Sequence, residues 1–422
     1  MTAPILMISY EAPPRLSAES ILAGKTLKAL YELPEPALPV LDLVCASPGD
    51  EVPGDEKLED LLPQSIRVHR SDPVPKGRTS LLRRIIGGKG GWQDEAVVRS
   101  QALFPAEHKK PALIYSRSHP PASHLAALDL VEGHLKGVPW VAHFSDPWSQ
   151  HAYYKSPVTR AALARYEAKV FAAASHLVFV SETLRDTMLH KAAPEIQHKA
   201  HVIPHLFDPA FYGTAPVPHV FDAARKASKG RVIAHVGDLY GLRSPESLFI
   251  AYAQLQNSKP ELQLPALWLI GRFDAEFAGI EERENVAQHV KHFTPVPYLE
   301  SLNVMAAADV LLTVEAPLKK SIFFPSKLVD YLGARKPMLA ITPKGSLTSR
   351  LMEAWKQPWC DVMDPGAIAA AIERVASGEL WAAPSDAMLN QYSSRTVSAQ
   401  LATLFHAILA KRAVADDSGA NQ

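Results

Sequence analysis

The sequence predicts an α/β protein made of two Rossmann-like parallel-sheet domains facing each other across a cleft. Three observations carry that prediction. Short apolar runs alternate with amphipathic helical stretches. The alternation breaks at a proline-rich join and then restarts. Polar, glycine and proline residues collect just past the apolar runs in both halves. A strand buried on both faces reads as a continuous apolar run, and a parallel neighbour requires a crossover helix between the two.

The first strand set is ILMIS (5–9), VLDLVCAS (40–47), ALIYSRS (112–118), WVAHFS (140–145) and HLVFVS (176–181). Segments such as ESILAGKTLKALYEL and HLAALDLVEGHLKG lie between them, with apolar residues at helical spacing. The join is expected at HVIPHLFDPAFYGTAPVP (201–218), which holds four prolines and no helical period. The second strand set is VIAHVGDL (232–239), ALWLIGRF (266–273), HVKHFTPV (289–296), DVLLTVE (309–315) and PMLAIT (337–342). Helices such as PESLFIAYAQLQ and YLESLNVMAAA separate these. TVSAQLATLFHAILAKRAV forms a last amphipathic helix, and ADDSGANQ is expected to fray.

Composition removes several classes. The chain has 422 residues, with 44 basic and 44 acidic side chains. Such balance argues against a nucleic-acid-coating protein. Cys45 and Cys360 are far apart and lack a partner motif, so neither a disulfide framework nor a zinc site is expected, and a reducing, cytoplasmic setting fits. MTAPILMISYEAPP reads as a first buried strand, not a signal peptide. No apolar run is long enough to span a bilayer.

One segment stands outside the alternation. RVHRSDPVPKGRTSLLRRIIGGKGGW (67–92) carries seven Lys or Arg and one Asp. It reads either as a surface loop with solvated charges or as a basic, partly apolar lip. On the second reading, residues 76–92 touch an anionic membrane at the inner face of the plasma membrane or a lipid-linked acceptor.

Ligands of open parallel sheets bind outside the carboxyl ends of the strands, so candidate residues are sought there. In FSDPW, Asp146 follows an apolar strand. It could orient an attacking hydroxyl or take its proton, or it could cap a helix. His119 in RSHPPAS could bind a phosphate or hydroxyl, or be structural. Trp148 could carry a sugar ring, but packing is favoured. Arg243, beside a helix start in GDLYGLRSPESL, could complete an anion site or lie on the surface. In FFPSKLVDYLGARKP, Ser326 can cap a helix and Lys327 sits in its first turn. A cation there opposes the helix dipole unless an anion occupies the spot. Asp330 follows one turn later. Lysine for phosphate and carboxylate for vicinal hydroxyls suit a nucleoside diphosphate; a plain surface Lys–Asp pair is the other reading.

These residues resemble a known family. PSKLVDYLGARKP is similar to the donor-site segment of the GT-B-fold glycosyltransferases of family 4. VIPHLFDPAFY resembles the family's linker, and VGDLYGLRSPESL its first donor-domain strand and turn. HPPASHLAALDL and GVPWVAHFSDPW resemble paired acceptor-domain motifs. The ordered set covers nearly the whole chain. The resemblance implies an N-terminal acceptor domain (1–206), a C-terminal nucleotide-sugar domain (207–390) and a final helix (391–422) returning to the first domain. It implies that Lys327, Arg243, Ser326 and Gly237 serve the donor diphosphate and Asp330 the ribose hydroxyls. The backbone near Val296 would face the base, and Asp146, with His119, the acceptor hydroxyl.

The implied activity is metal-independent hexosyl transfer, with retention, to a glycan or lipid-linked acceptor in polysaccharide or glycoconjugate synthesis. No Asp-x-Asp motif is present, and no cofactor is expected. The chain departs from the family pattern at three places. Ile322 stands where the first glutamate of the donor segment falls, EAPPRLSAES lacks the glycine pair after the first strand, and Ser244 replaces the second donor-turn cation. A silent nucleotide-sugar-binding partner and a nucleotide-sugar epimerase are the competing readings.

Overall fold

The structure is a computed structural model that describes residues 3–34, 36–49, 54–71, 91–105, 109–152, 154, 156–228, 230–319 and 321–419. The chain divides into two compact units. Unit 1 is Met1–Leu206 with Ser394–Gln422, and unit 2 is Phe207–Ser393.

Unit 1 holds a seven-stranded sheet: β1 (Ile5–Ile8), β2 (Leu41–Ala46), β3 (Ile66–Ser71), β4 (Leu113–Ser118), β5 (Trp140–Phe144), β6 (His176–Phe179) and β7 (Ala200–Val202). Their order is β3-β2-β1-β4-β5-β6-β7, with parallel pairing throughout. β1, β2, β4 and β5 are buried along their whole length, which is why apolar residues predominate across the four. The helix Ala18–Tyr31 starts where the Ser17 side chain accepts the Ser20 N–H at 3.1 Å. The C-terminal helix Ser394–Gly419 packs against it, and Leu401 and Phe405 share one core with Leu27 and Leu30. Each such side chain contributes about 1.5–3 kcal/mol when fully buried.

Unit 2 repeats the plan with six strands: β8 (Val232–Val236), β9 (Ala266–Ile270), β10 (Val290–Phe293), β11 (Val310–Val314), β12 (Met338–Ile341) and β13 (Trp359–Cys360). Their order is β10-β9-β8-β11-β12-β13, again parallel. In each unit the order reverses beside the first strand, between β1 and β4 and between β8 and β11. That reversal opens a crevice at the strand carboxyl ends.

The two parallel-sheet units and the ten predicted strands are all present. Three strands were not predicted. β3 lies, but for Ile66, in the segment read as a surface loop or a basic lip. Its polar side chains are paired, with Arg67 and His69 both on Asp42, so a charged edge strand looks like a loop in sequence. β7 takes His201 and Val202 from the expected join, and β13 is only two residues long. Residues 76–90 of the proposed membrane lip lie outside the described residues. Among the described residues no helix is long and apolar enough to cross a membrane.

Candidate functional site

In unit 2, Gly237, Arg243 and Lys327, three of the residues expected to serve a donor, gather at the carboxyl end of β8. Gly237 follows the strand with φ 134°, a conformation that favours glycine. A Cβ there would sit 2.6 Å from Lys327 Nζ, so the missing side chain is what lets the ammonium approach this backbone. Lys327 is the second residue of the helix Ser326–Gly333. Pro325, not Ser326, occupies the cap position, and no side chain caps this end. Ser326 is the first helical residue. It cannot cap because the extended conformation that a cap requires falls to Pro325, whose φ is restricted by its ring.

Lys327 Nζ lies 3.1 Å from His235 Nε2, and His235 Nδ1 lies 3.0 Å from the Leu312 carbonyl oxygen. The carbonyl can only accept, so Nδ1 carries the proton and Nε2 presents a lone pair to the lysine. Burial holds the His235 imidazole well below its ordinary pKa, and the charges of Lys327 and Arg243 add to the effect. Lys327 is partly exposed as a residue, but burial of its ammonium pushes its pKa down to about 7. Arg243 pushes the same way, while Asp238 and Glu315 oppose it. Arg243 lies in the turn after β8, its N–H donating to the Tyr240 carbonyl at 3.0 Å, two residues before the Pro245 cap of the next helix.

Asp330 is buried. Its Oδ1 accepts from the Tyr298 hydroxyl at 2.9 Å, and its backbone carbonyl accepts from the Tyr212 hydroxyl at 2.8 Å. Tyr298 opens the helix two residues after half-buried Val296, so one bond ties the two turns that carry the expected ribose and base contacts. The surface Lys–Asp reading therefore fails: Asp330 is a core carboxylate on the inner side of its helix. Ile322 is also in the core. The nearest acid in sequence is Glu315, just past β11. It is buried, accepts from Thr342 and from Ser321 Oγ at 3.5 Å, and has a pKa raised by that burial.

In unit 1, Asp146 follows β5 in a bend, and no helix begins there, so the capping alternative is not realised. Glu19, in the first turn of Ala18–Tyr31, lies close by. Its Oε1 accepts from Arg117 Nε at 3.1 Å, Arg117 Nη2 at 3.0 Å and Ser145 Oγ at 2.9 Å. Burial pushes the Glu19 carboxyl up to about 7 against the pull of Arg117, and the charge of Asp146 adds to the rise. His119 Nε2 lies 3.4 Å from the Tyr154 hydroxyl, and its ring is 5.6 Å from that of His151. Trp148 is fully buried, its Nε1 donating to Ser118 Oγ at 3.1 Å, which makes it a packing residue. The glycine pair missing after β1 is replaced by a rigid buried link: Arg15 Nε donates to Glu11 Oε2 at 3.0 Å and Arg15 Nη1 to the Ser47 carbonyl at 2.6 Å.

Sequence reasoning missed Glu19, Arg117, His235 and Glu315. A signal existed for two of them. His235 interrupts an otherwise apolar buried strand, and Arg117 lies near the end of another, between Ser116 and Ser118; a charged or titratable group in a buried strand is the informative exception.

Comparison with known proteins agrees with the fold. Residues 40–205 match the model of a glycosyl transferase 4-like domain. No curated relative matches the sequence. Among solved structures, Anabaena HepE in complex with UDP and glucose is 17% identical, with 99% of this chain and 100% of that chain covered at a TM-score of 0.61. Sucrose-phosphate synthase of Thermosynechococcus elongatus is 17% identical, with 100% of both chains covered at 0.63. A candidate UDP-N-acetylglucosamine 2-epimerase of Listeria monocytogenes is 10% identical, with 95% of both chains covered at 0.61. The resemblance found in the sequence is thus borne out as far as a domain and a fold: residues 40–205 match a glycosyl transferase 4-like domain, and the whole chain shares its fold of two parallel-sheet units with these structures.

Proposed function

We propose that this protein is a glycosyltransferase that moves a hexosyl group from a nucleoside-diphosphate donor to a hydroxyl of a glycan or lipid-linked acceptor, with retention. The observation that carries the reading is the Lys327 ammonium held over Gly237 at the carboxyl end of β8, with Arg243 contributing a second positive charge. Two cations and the uncapped N–H groups of Ser326–Gly333 suit a diphosphate. That group gathers negative charge as it leaves, and fixed donors aimed at it are a large catalytic lever; losing one typically costs about 3–4 kcal/mol. Asp330, held by Tyr298, would accept from ribose hydroxyls, and the Val296 backbone would face the base. In unit 1, Asp146 would orient the acceptor hydroxyl, with His119 nearby, and the leaving phosphate oxygen would take the proton. No metal is invoked. UDP in the Anabaena HepE complex supports a nucleotide-sugar donor here.

The Listeria epimerase likeness supports a second reading, elimination and re-addition of the nucleotide at the same site. A thermal-shift screen of nucleoside diphosphates and nucleotide sugars tests the proposal. A true donor at a hundredfold excess over its Kd stabilises by about 2.7 kcal/mol. No shift with any member overturns it. Epimerised sugar formed without an acceptor favours the second reading.

A further inference from the structure

A cavity of about 550 Å³ opens in unit 1 at the amino ends of β4, β5 and β6. Asp146 and Arg117 lie at the other, carboxyl, end of these strands. Its volume falls in the range of small-molecule sites. Lys110 and Lys136 line it from the loops, Lys411 and Arg412 from the C-terminal helix, and His176 from the head of β6, beside an apolar patch at Ile408. No carboxylate is among its lining residues. The whole chain balances 44 basic against 44 acidic side chains, so this concentration of charge is local.

Neutral oxygens anchor part of the cluster. Lys110 Nζ donates to the Lys136 carbonyl at 2.9 Å. Arg412 Nη1 donates to the carbonyls of Pro111 and Ala112 at 2.5 and 2.9 Å. Among the described residues no carboxylate forms an ion pair with Lys110, Lys136 or Lys411. Like charges gathered in a concavity repel unless an anion offsets them. His176 registers that field. Burial lowers its pKa, and His201, 3.0 Å away, lowers it further together with Lys411 and Lys199.

We propose that this cavity binds a phosphate-bearing ligand, at a site separate from those at the strand carboxyl ends. Lysine charges from two directions and the His176 ring would surround the phosphate, and Ile408 would meet an apolar neighbour of it. The phosphate could belong to a soluble phosphomonoester or to an anionic lipid headgroup, and two arms of one experiment separate these sources.

The His176 ring is followed by NMR in the full chain, assigned with His176→Asn, during titration with inorganic phosphate and glycerol phosphate. Flotation with phosphatidylcholine vesicles, with and without phosphatidylglycerol, runs in parallel. Both arms are repeated on Lys136→Ala/Lys411→Ala, whose two sites are exposed and whose unfolding midpoint should match the parent. Either soluble anion should raise the His176 pKa by about one pH unit in the parent and much less in the variant. Phosphatidylglycerol-dependent flotation lost in the variant, without a response to soluble anions, also supports the site and names a lipid as its source. Absence of both responses, or equal responses in parent and variant, overturns the proposal.

Discussion

Lys327 directs its ammonium at the lone pair of a neutral histidine, Nζ lying 3.1 Å from His235 Nε2. The pair holds the cation in place without cancelling its charge, which a carboxylate in the same position would do. Burial brings the Lys327 pKa to about 7, so the group is charged below that value and neutral above it. An anionic ligand favours the charged form. Donor nucleotide affinity should therefore rise as pH falls through 7, and binding above 7 should take up a proton. Isothermal titration near pH 8 in two buffers of different ionisation enthalpy should show uptake approaching one proton per site. Affinity flat across neutral pH, with no uptake, would exclude Lys327 as the titrating contact.

Gly237 tests the same contact from the other side. Gly237→Ala places a methyl group 2.6 Å from Lys327 Nζ at a φ of 134°. The backbone strain alone costs about 1–3 kcal/mol. Displacement of the lysine should also abolish nucleotide stabilisation in a thermal-shift assay. A variant that keeps the parental nucleotide shift would mean that the ammonium is not needed at this position.

Asp330→Asn keeps an oxygen for the Tyr298 hydroxyl, so the fold should survive with a loss of about 1 kcal/mol. Its charge is what ribose hydroxyls would feel. Nucleotide affinity should drop by about tenfold, and the drop should shrink for the 2′,3′-dideoxy nucleotide, which lacks both hydroxyls. An equal drop for both nucleotides would place Asp330 in the fold and not at the ribose.

Much of the fold was legible because buried parallel strands announce themselves as apolar runs. β3 was not: its Arg67, His69 and Arg70 are solvated or paired with Asp42 and Glu59, and only the fold reveals those partners. At the site, the Pro-Ser-Lys helix start pointed to Lys327, but the histidine behind it comes from a strand 92 positions away in sequence. Glu19 and Arg117 are 98 positions apart, and no local spacing links them. Local signals thus revealed single residues and missed the partners that set their charge.

Glu19 gives a pH signature to unit 1. Its folded-state pKa, about 7, lies above the ordinary carboxylate value of 4.5. The folded state therefore holds more protons between those values, and its stability falls as pH rises from about 4.5 through about 7. The contribution is at most about 3 kcal/mol. Glu167 is raised to about 7 as well, so Glu19→Gln should lessen the slope without removing it. Urea unfolding at several pH values reads this directly. An unchanged slope in the variant would mean that Glu19 is ionised throughout.

The most direct measurement is calorimetric titration of the parent chain and Lys327→Ala with whichever nucleoside diphosphate stabilises the parent. Loss of the ammonium over Gly237 should weaken binding by at least tenfold, about 1.4 kcal/mol, while the unfolding midpoint without ligand holds or rises because a buried charge has been removed. Matching affinities in the two proteins would contradict a diphosphate site at Lys327 and, with it, the assignment of unit 2 as the donor domain.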